Sequence, residues 1–169
     1  DLQCSLQAFI RGDVSYLISG DWDYQDLLAS MGKKLGVALL PRLEGHPMVP
    51  MSSSYVLAVR SGLSPEKQHA AYALARFLLS DDSQHTIYLR SHLFPASKKV
   101  FRALEPKLDP NMKVLYEQLT HSRAMPNDRR MLIAWLVMGK VLPRFLVGDY
   151  DAAEAAATMQ SLAEDEEKQ

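Results

Sequence analysis

The spacing of apolar and polar residues predicts a chain dominated by helices. In residues 128–147 the apolar positions recur at steps of four and three residues: Met131, Trp135, Met138, Leu142 and Phe145. This spacing places the five side chains on one face of a long helix. Pro143 lies within the same stretch, so we expect a kink there, because its ring conflicts with the carbonyl of Gly139.

Residues that favour helix starts predict the other helices. The Ser-Pro-Glu sequence at 64–66 supplies a cap, a proline at the first position and an acid in the first turn, and this helix should reach about Leu79. Residues 81–84 begin the next helix, in which Gln84 is expected to return a hydrogen bond to the cap. Further helices are predicted over residues 2–10 and 23–30, from Ser97, from Pro110 and from Asp151.

Three short apolar runs predict strands, over residues 14–19, 35–40 and 55–59. Between the last two, residues 41–54 carry three prolines and three serines and are predicted to form an irregular loop. Strands and helices do not alternate simply. We therefore predict an α/β fold in which helices pack on sheets and residues outside this chain complete those sheets.

Composition narrows the class of protein. The 169 residues are 47% hydrophobic and 23% charged, which is typical of a globular domain. Nineteen basic residues nearly balance twenty acidic ones, so binding to nucleic acid or to an anionic membrane by charge is not expected. No apolar run approaches the roughly 18–20 residues of a membrane span. The chain begins at Asp1 without a methionine or a signal peptide, and we expect it to be a fragment or a processed piece.

Candidate catalytic and metal-binding residues are few. Cys4 is the only cysteine, so no internal disulfide or cysteine-based metal site is expected. The five histidines show no H-x-x-x-H spacing, which argues against a zinc site. Two carboxylate pairs could in principle serve glycoside hydrolysis. The helix start accounts for Asp81 with Asp82, and Asp21 with Asp23 would need a raised pKa in one member. Nothing in the sequence demands that shift, so we predict no cofactor, no metal and no enzymatic activity.

Four segments, in order, resemble one family. They are residues 8–22 (AFIRGDVSYLISGDW), residues 36–41 (GVALLP), residues 55–84 ending in SDDSQ, and Met125-Pro126-Asn127 followed by Trp135. Together they resemble the C-terminal half of the maltose-binding group of ABC-transporter solute-binding proteins. The resemblance covers nearly the whole chain. It implies a two-lobed periplasmic-binding-protein fold of type II, a sugar ligand and a permease partner in the membrane.

The resemblance also implies which residues contact the sugar. Trp22 and Trp135 would stack on pyranose rings, since an indole offers a flat apolar face to the C–H groups of a sugar. Met125 matches the Met-Pro-Asn segment, where the methionine lies at the sugar site. The remaining candidates are Tyr55, Asp21, Asp23, Tyr24 and Asn127. Leu136 and Gly139 stand where the maltose-binding group has a tyrosine and an arginine, which implies another oligosaccharide or another register.

The same resemblance implies a chain that crosses between lobes. Residues 1–54 are expected in the C-terminal lobe, residues 55–108 in the N-terminal lobe and residues 109–169 in the C-terminal lobe again. The N-terminal half of the family fold would be missing from this chain and would supply the other wall of the cleft. The implied location is the periplasm or another extracytoplasmic compartment, with or without a membrane tether. An adaptor module of helices that binds proteins and no small molecule is the alternative.

Overall fold

The computed structural model describes residues 2–168, so Asp1 and Gln169, at the outer ends of the predicted lobe segments, lie outside it. The chain divides into two compact units, residues 1–123 and 124–169. Neither unit corresponds to one of the three predicted lobe segments, and that division stays a prediction. Among the helices of residues 2–168, none combines the length and apolar character needed to cross a bilayer.

The first unit contains six α-helices within its described residues. They are α1 (Leu2–Arg11), α2 (Tyr24–Met31), α3 (Pro65–Leu78), α4 (Asp81–Ser91), α5 (Lys98–Leu104) and α6 (Pro110–Thr120). Short 3-10 turns lie at Asp21–Asp23, Gly32–Lys34 and Glu105–Lys107. All six helices were predicted, because their ends are marked locally. Ser64, Ser97 and Asp109, for example, each accept a hydrogen bond from a first-turn backbone N–H.

The start of α4 differs in detail from the prediction. Its cap is Ser80, which accepts from the backbone N–H of Ser83. The side chain of Gln84 does not bond back to the cap. It donates instead to the carbonyl of Leu78 at 2.9 Å and accepts from the backbone N–H of Ala96, also at 2.9 Å. Gln84 therefore ties α4 to the segments on either side of it.

The three predicted strands are wrong for this chain. Residues 14–19, 35–40 and 55–59 form no ladder, and the two sheets of the described residues lie elsewhere. A strand is defined by hydrogen bonds to a neighbouring strand, and none of the three segments has one within residues 2–168. Apolar side chains such as Tyr16 and Tyr55, 91% and 88% exposed, consequently lie open to solvent.

Side chains take the place of a neighbouring strand along residues 35–40. The amide oxygen of Asn111 accepts from the N–H of Val37 at 3.2 Å, and its nitrogen donates to the carbonyl of Leu35, also at 3.2 Å. The amide oxygen of Gln118 accepts from the N–H of Leu40 at 2.8 Å. Both amides belong to α6, so this helix holds the segment in place.

The predicted loop at residues 41–54 contains short paired strands. β1 (Arg42–Leu43) and β2 (His46–Pro47) form an antiparallel hairpin. Its turn residues Glu44 and Gly45 both have positive φ, as the tight turns of two-residue hairpins require. β3 (Met51–Ser52) pairs with β4 (Arg123–Ala124), and the N–H of Arg123 donates to the carbonyl of Pro50.

The core of the first unit lies where α2 and α6 meet. Its buried side chains are Tyr24, Leu27, Leu35, Leu108 and Met112, and partly buried residues of α1 and α4 pack against them. Phe94, Phe101 and Tyr116 form an aromatic cluster nearby, with ring centroids 4.5 to 6.0 Å apart. Burial of such rings contributes much of the stability of a unit this small.

The second unit is a pair of helices, α7 (Arg129–Leu146) and α8 (Ala152–Glu167), which pack against each other. α7 continues through Pro143 to Leu146, and a kink there stays a prediction. α8 begins with a capping box, as its sequence predicts: Asp151 accepts from the N–H of Glu154, and Glu154 accepts from the N–H of Asp151.

The five apolar residues predicted to share one face of α7 are not the residues that are buried in the structure. The buried side chains of this helix are Ile133, Val137 and Val141, which follow one another at steps of four. Trp135, Leu142 and Phe145 of the predicted stripe are exposed. The spacing predicted a shared face and not its burial. Because α7 is apolar on several sides, periodicity alone does not choose the face that α8 covers.

Candidate functional site

Trp22 lies in the 3-10 turn that leads into α2, and its indole is 59% exposed. The ring lies directly over Gly20. A Cβ added at Gly20 would come within 2.4 Å of three indole carbons. Any side chain at position 20 would therefore push the indole away. The Gly-x-Trp spacing seen in the sequence has a physical reason that sequence reasoning missed.

The acidic neighbours of Trp22 differ in environment. Partial burial raises the pKa of Asp21, although hydrogen bonds from the N–H groups of Asp21 and Trp22 oppose that rise. Asp23 stands at the N-cap position of α2, but its side chain makes no capping hydrogen bond. Its carboxylate instead accepts a hydrogen bond from the hydroxyl of Ser19. This contact braces the turn that carries Trp22.

Tyr24 is a core residue in the structure and only 3% exposed. Its hydroxyl donates to the carboxylate of Asp109 at 3.3 Å, and its ring meets the ring of His92 edge-on at 5.5 Å between centroids. Burial and the nearby charge of Asp109 raise the pKa of its phenol. Tyr24 therefore positions α2 against α6, and the sugar contact proposed for it stays a prediction.

Tyr55 lies in the irregular segment after β3 and is almost fully exposed. No helix or ladder of the described chain holds residues 53–59, so the structure gives its side chain no fixed site. The hydroxyl of Ser122 anchors the start of this segment by donating to the hydroxyl of Ser52 at 2.8 Å.

The remaining candidates belong to the second unit. Met125 is half-buried and Asn127 is exposed, both just before α7. Asn127 does not cap α7: the cap is Asp128, which accepts from the N–H of Arg130 at 2.6 Å. Trp135 lies in the second turn of α7 and is 53% exposed. The structure thus groups Asp21, Trp22 and Asp23 in one turn and places Met125, Asn127 and Trp135 around the start of one helix.

Within residues 2–168, no three His, Cys, Asp or Glu side chains are placed to hold a metal ion. One open groove lies between α1 and the segment that follows it, and it is lined by Cys4, Ser5, Ala8, Val14, Tyr16, Leu17 and Ile18. None of the predicted sugar-binding residues lines this groove.

Comparisons with known proteins agree on family and fold. A family model described as bacterial extracellular solute-binding protein matches residues 4–114, more than half of the chain. No curated protein matches the chain. A solved structure of the maltose-maltodextrin binding protein of Alicyclobacillus acidocaldarius matches 94% of the chain with a TM-score of 0.75 and 24% sequence identity.

That match includes 42% of the solved chain, so the chain described here spans less than half the length of that relative. At this level of identity the likeness shows the fold, which is the type II fold of periplasmic binding proteins, represented here in part. The α/β prediction is confirmed at the level of that fold, although the described residues are mostly helical. The chain belongs to the bacterial extracellular solute-binding protein family.

Proposed function

We propose that this protein is the ligand-binding component of an ABC importer and that it binds a neutral oligosaccharide. The observation that carries the proposal is the exposure of Trp135 on a helix whose other face already forms the core of its unit. The exposed side chains of Leu132 and Leu136 lie beside it on α7, and contiguous apolar patches mark binding surfaces more often than single exposed residues do. Trp22, held over Gly20, provides a second exposed indole.

The chemistry of exposed indoles favours a sugar over other solutes. A pyranose presents C–H groups on its ring faces and hydroxyls on its rim, so a tryptophan face stacks on it and polar groups bind its edge. The net charge of −1 does not favour an anionic ligand. The fold neighbour is named as a maltose-maltodextrin binding protein, which supports a maltooligosaccharide as the first ligand to test.

The type II fold supplies a mechanism for the proposed role. Its two lobes would be formed from residues 1–54 and 109–169 on one side and residues 55–108 on the other, together with chain from the rest of the protein. Sugar contacts to both lobes would favour a closed state, which would dock on a membrane permease served by a separate ATPase. The proposed location is extracytoplasmic, in keeping with the family.

A thermal-shift screen of the intact protein tests the ligand class. Maltotriose and longer maltodextrins at about 100 times their dissociation constant should stabilise the fold by about 2.7 kcal/mol, because they bind only the native state. An amino acid and a divalent metal ion serve as controls. Stabilisation by either control, with no response to any sugar, would overturn the proposal.

Tryptophan fluorescence separates this proposal from the adaptor alternative. A sugar stacking on Trp22 or Trp135 should quench or shift the emission in a saturable way. A module that binds only other proteins should show no response to sugars. The exposed apolar residues Leu74, Phe77 and Leu79, at the end of α3, would then be the surface to examine.

A further inference from the structure

Three side chains with soft donor atoms follow one another between β2 and β3. His46 begins β2, Met48 follows it by two residues and Met51 begins β3. All three residues are exposed, the two methionines by 41% and 49%. Met112, by contrast, is fully buried in the core. The sulfur atoms of Met48 and Met51 therefore face solvent, where they can bind a ligand.

The register of the hairpin places His46 and Met48 on one face. His46 pairs with Leu43, and the N–H of Met48 donates to the carbonyl of Pro41 at 3.2 Å, which extends the ladder beyond the paired strands. Side chains two residues apart in extended chain project from the same face, and their Cα atoms lie roughly 7 Å apart. An imidazole and a thioether at that separation can both bind one metal ion.

Met51 supplies a second thioether three residues after Met48. The N–H of Arg123 donates to the carbonyl of Pro50 at 2.9 Å, and β3 pairs with β4. The hairpin on one side and this ladder on the other hold both ends of the short segment between the two methionines. A methionine side chain has three rotatable bonds, so the sulfur of Met51 can turn toward that of Met48.

The donor atoms on this face select a soft cation. Thioether sulfur favours Cu(I), whereas the hard divalent ions favour carboxylates. The cross-strand neighbours on the face, Pro41 and Leu43, carry no carboxylate, and Glu44 lies in the turn. Within residues 2–168 the imidazole of His46 has no hydrogen-bond or ion-pair partner, so its ring nitrogens are free to bind a metal.

We propose that His46, Met48 and Met51 form a binding site for Cu(I), which Ag(I) occupies as a redox-stable analogue. The expectation of no metal site considered the spacing of cysteines and histidines, and thioether donors fall outside it. None of the three residues is a candidate for sugar binding, so this site goes beyond the proposed function. The chain belongs to a family of extracellular proteins, and the site would meet soft cations outside the cytoplasm.

Competition titrations of the intact protein in a Cys4→Ser background test the site. Cys4 is exposed, and its thiol would otherwise bind a soft cation itself. Against bathocuproine disulfonate, the protein should bind Cu(I) in equimolar amount. Met48→Leu and Met51→Leu should each weaken binding about tenfold or more, and both should keep the fold because leucine and methionine are similar in volume. Met159→Leu, on α8, is the matched control and should bind Cu(I) unchanged.

Methionine methyl signals in NMR spectra show which sulfur atoms bind. In protein labelled with carbon-13 at the methyl groups of its eight methionines, Ag(I) nitrate in chloride-free buffer should shift the signals of Met48 and Met51. The signal of Met112 should stay in place because its side chain is buried. His46→Gln should weaken Ag(I) binding about tenfold and still leave the two shifts visible at high Ag(I) concentration.

Three results would overturn this inference. They are unchanged Cu(I) affinity in Met48→Leu or Met51→Leu, equal weakening by the control Met159→Leu, and methyl signals of Met48 and Met51 that do not respond to Ag(I). Zn(II) binding as tight as that of Cu(I) would also refute it, because it would indicate donors other than thioethers. None of these measurements uses a sugar, so the failure of the proposed function would leave the inference standing.

Discussion

Two faces of α7 carry apolar side chains in opposite environments. On one face, Ile133, Val137 and Val141 are buried in the unit that α7 forms with α8. On the other, Leu132 and Trp135 are 70% and 53% exposed. Hydrophobicity alone therefore does not assign a residue to a core. One face stabilises the unit, and the other carries the sugar contact that we propose for Trp135.

The largest loss of stability should follow a substitution on the buried face of α7. Ile133→Ala should lower the free energy of unfolding by about 2–5 kcal/mol, because it removes buried methyl groups and leaves a cavity. Leu132→Ala, a change of the same size at the next residue, should cost less than about 1 kcal/mol because Leu132 is exposed. Denaturant unfolding measures both. Equal losses would mean that the two faces do not differ as the structure shows.

Trp135→Ala should weaken sugar binding strongly and lower the free energy of unfolding only slightly. Loss of an indole face removes on the order of 100 Å² of stacking surface, worth about 2–3 kcal/mol, and should weaken sugar binding about 30- to 150-fold. The free energy of unfolding should fall by about 1 kcal/mol or less. Titration calorimetry and denaturant unfolding of the same variant test the two halves of this prediction. Unchanged affinity with a large loss of stability would place Trp135 in a core.

Weakening the N-cap of α8 should lower the free energy of unfolding without changing the sugar affinity. Asp151→Ala removes one half of the capping box and should cost about 0.5–2 kcal/mol of stability, with sugar affinity unchanged. Glu154→Gln is the matched control, since glutamine keeps an acceptor oxygen for the backbone of residue 151. A loss of affinity in Asp151→Ala would show that the two faces are coupled.

The smallest effect concerns an ion pair at the surface. Lys140 donates to a carboxylate oxygen of Glu166 at 3.1 Å, between α7 and α8. Lys140→Gln should cost about 0.2–1 kcal/mol at low ionic strength. That cost should shrink in molar salt, where screening acts over about 3 Å. A cost that persisted in molar salt would indicate packing of the lysine stem and not charge.

The sequence predicted the features that depend on contacts between neighbouring residues, such as the starts of helices. The helices that start after Ser64, Ser97 and Asp151 form where their caps predict, because a cap is a contact between residues two or three positions apart. The strands predicted at 14–19 and 55–59 did not form, and no local signal could have shown this. A strand depends on a partner far along the sequence or outside it, and β-propensity describes only the fit to such a partner.

The same difference between local and long-range contacts applies to the candidate site. Family resemblance singled out Trp22 and Trp135, and both indoles are exposed in the structure. The resemblance did not reveal that Gly20 makes room for one indole, or that Tyr24 is buried against Asp109. Those facts depend on three-dimensional distances. A glycine two residues before an exposed tryptophan is a signal that could have indicated the first of them.

The contacts between α6 and residues 35–40 have a further consequence, for aggregation. An extended segment with free N–H and C=O groups offers a template to which another chain can add a strand. Asn111 and Gln118 occupy two of those N–H groups and one carbonyl with their own amides. Two side chains of a neighbouring helix thus protect this apolar segment from self-association while leaving its sequence apolar.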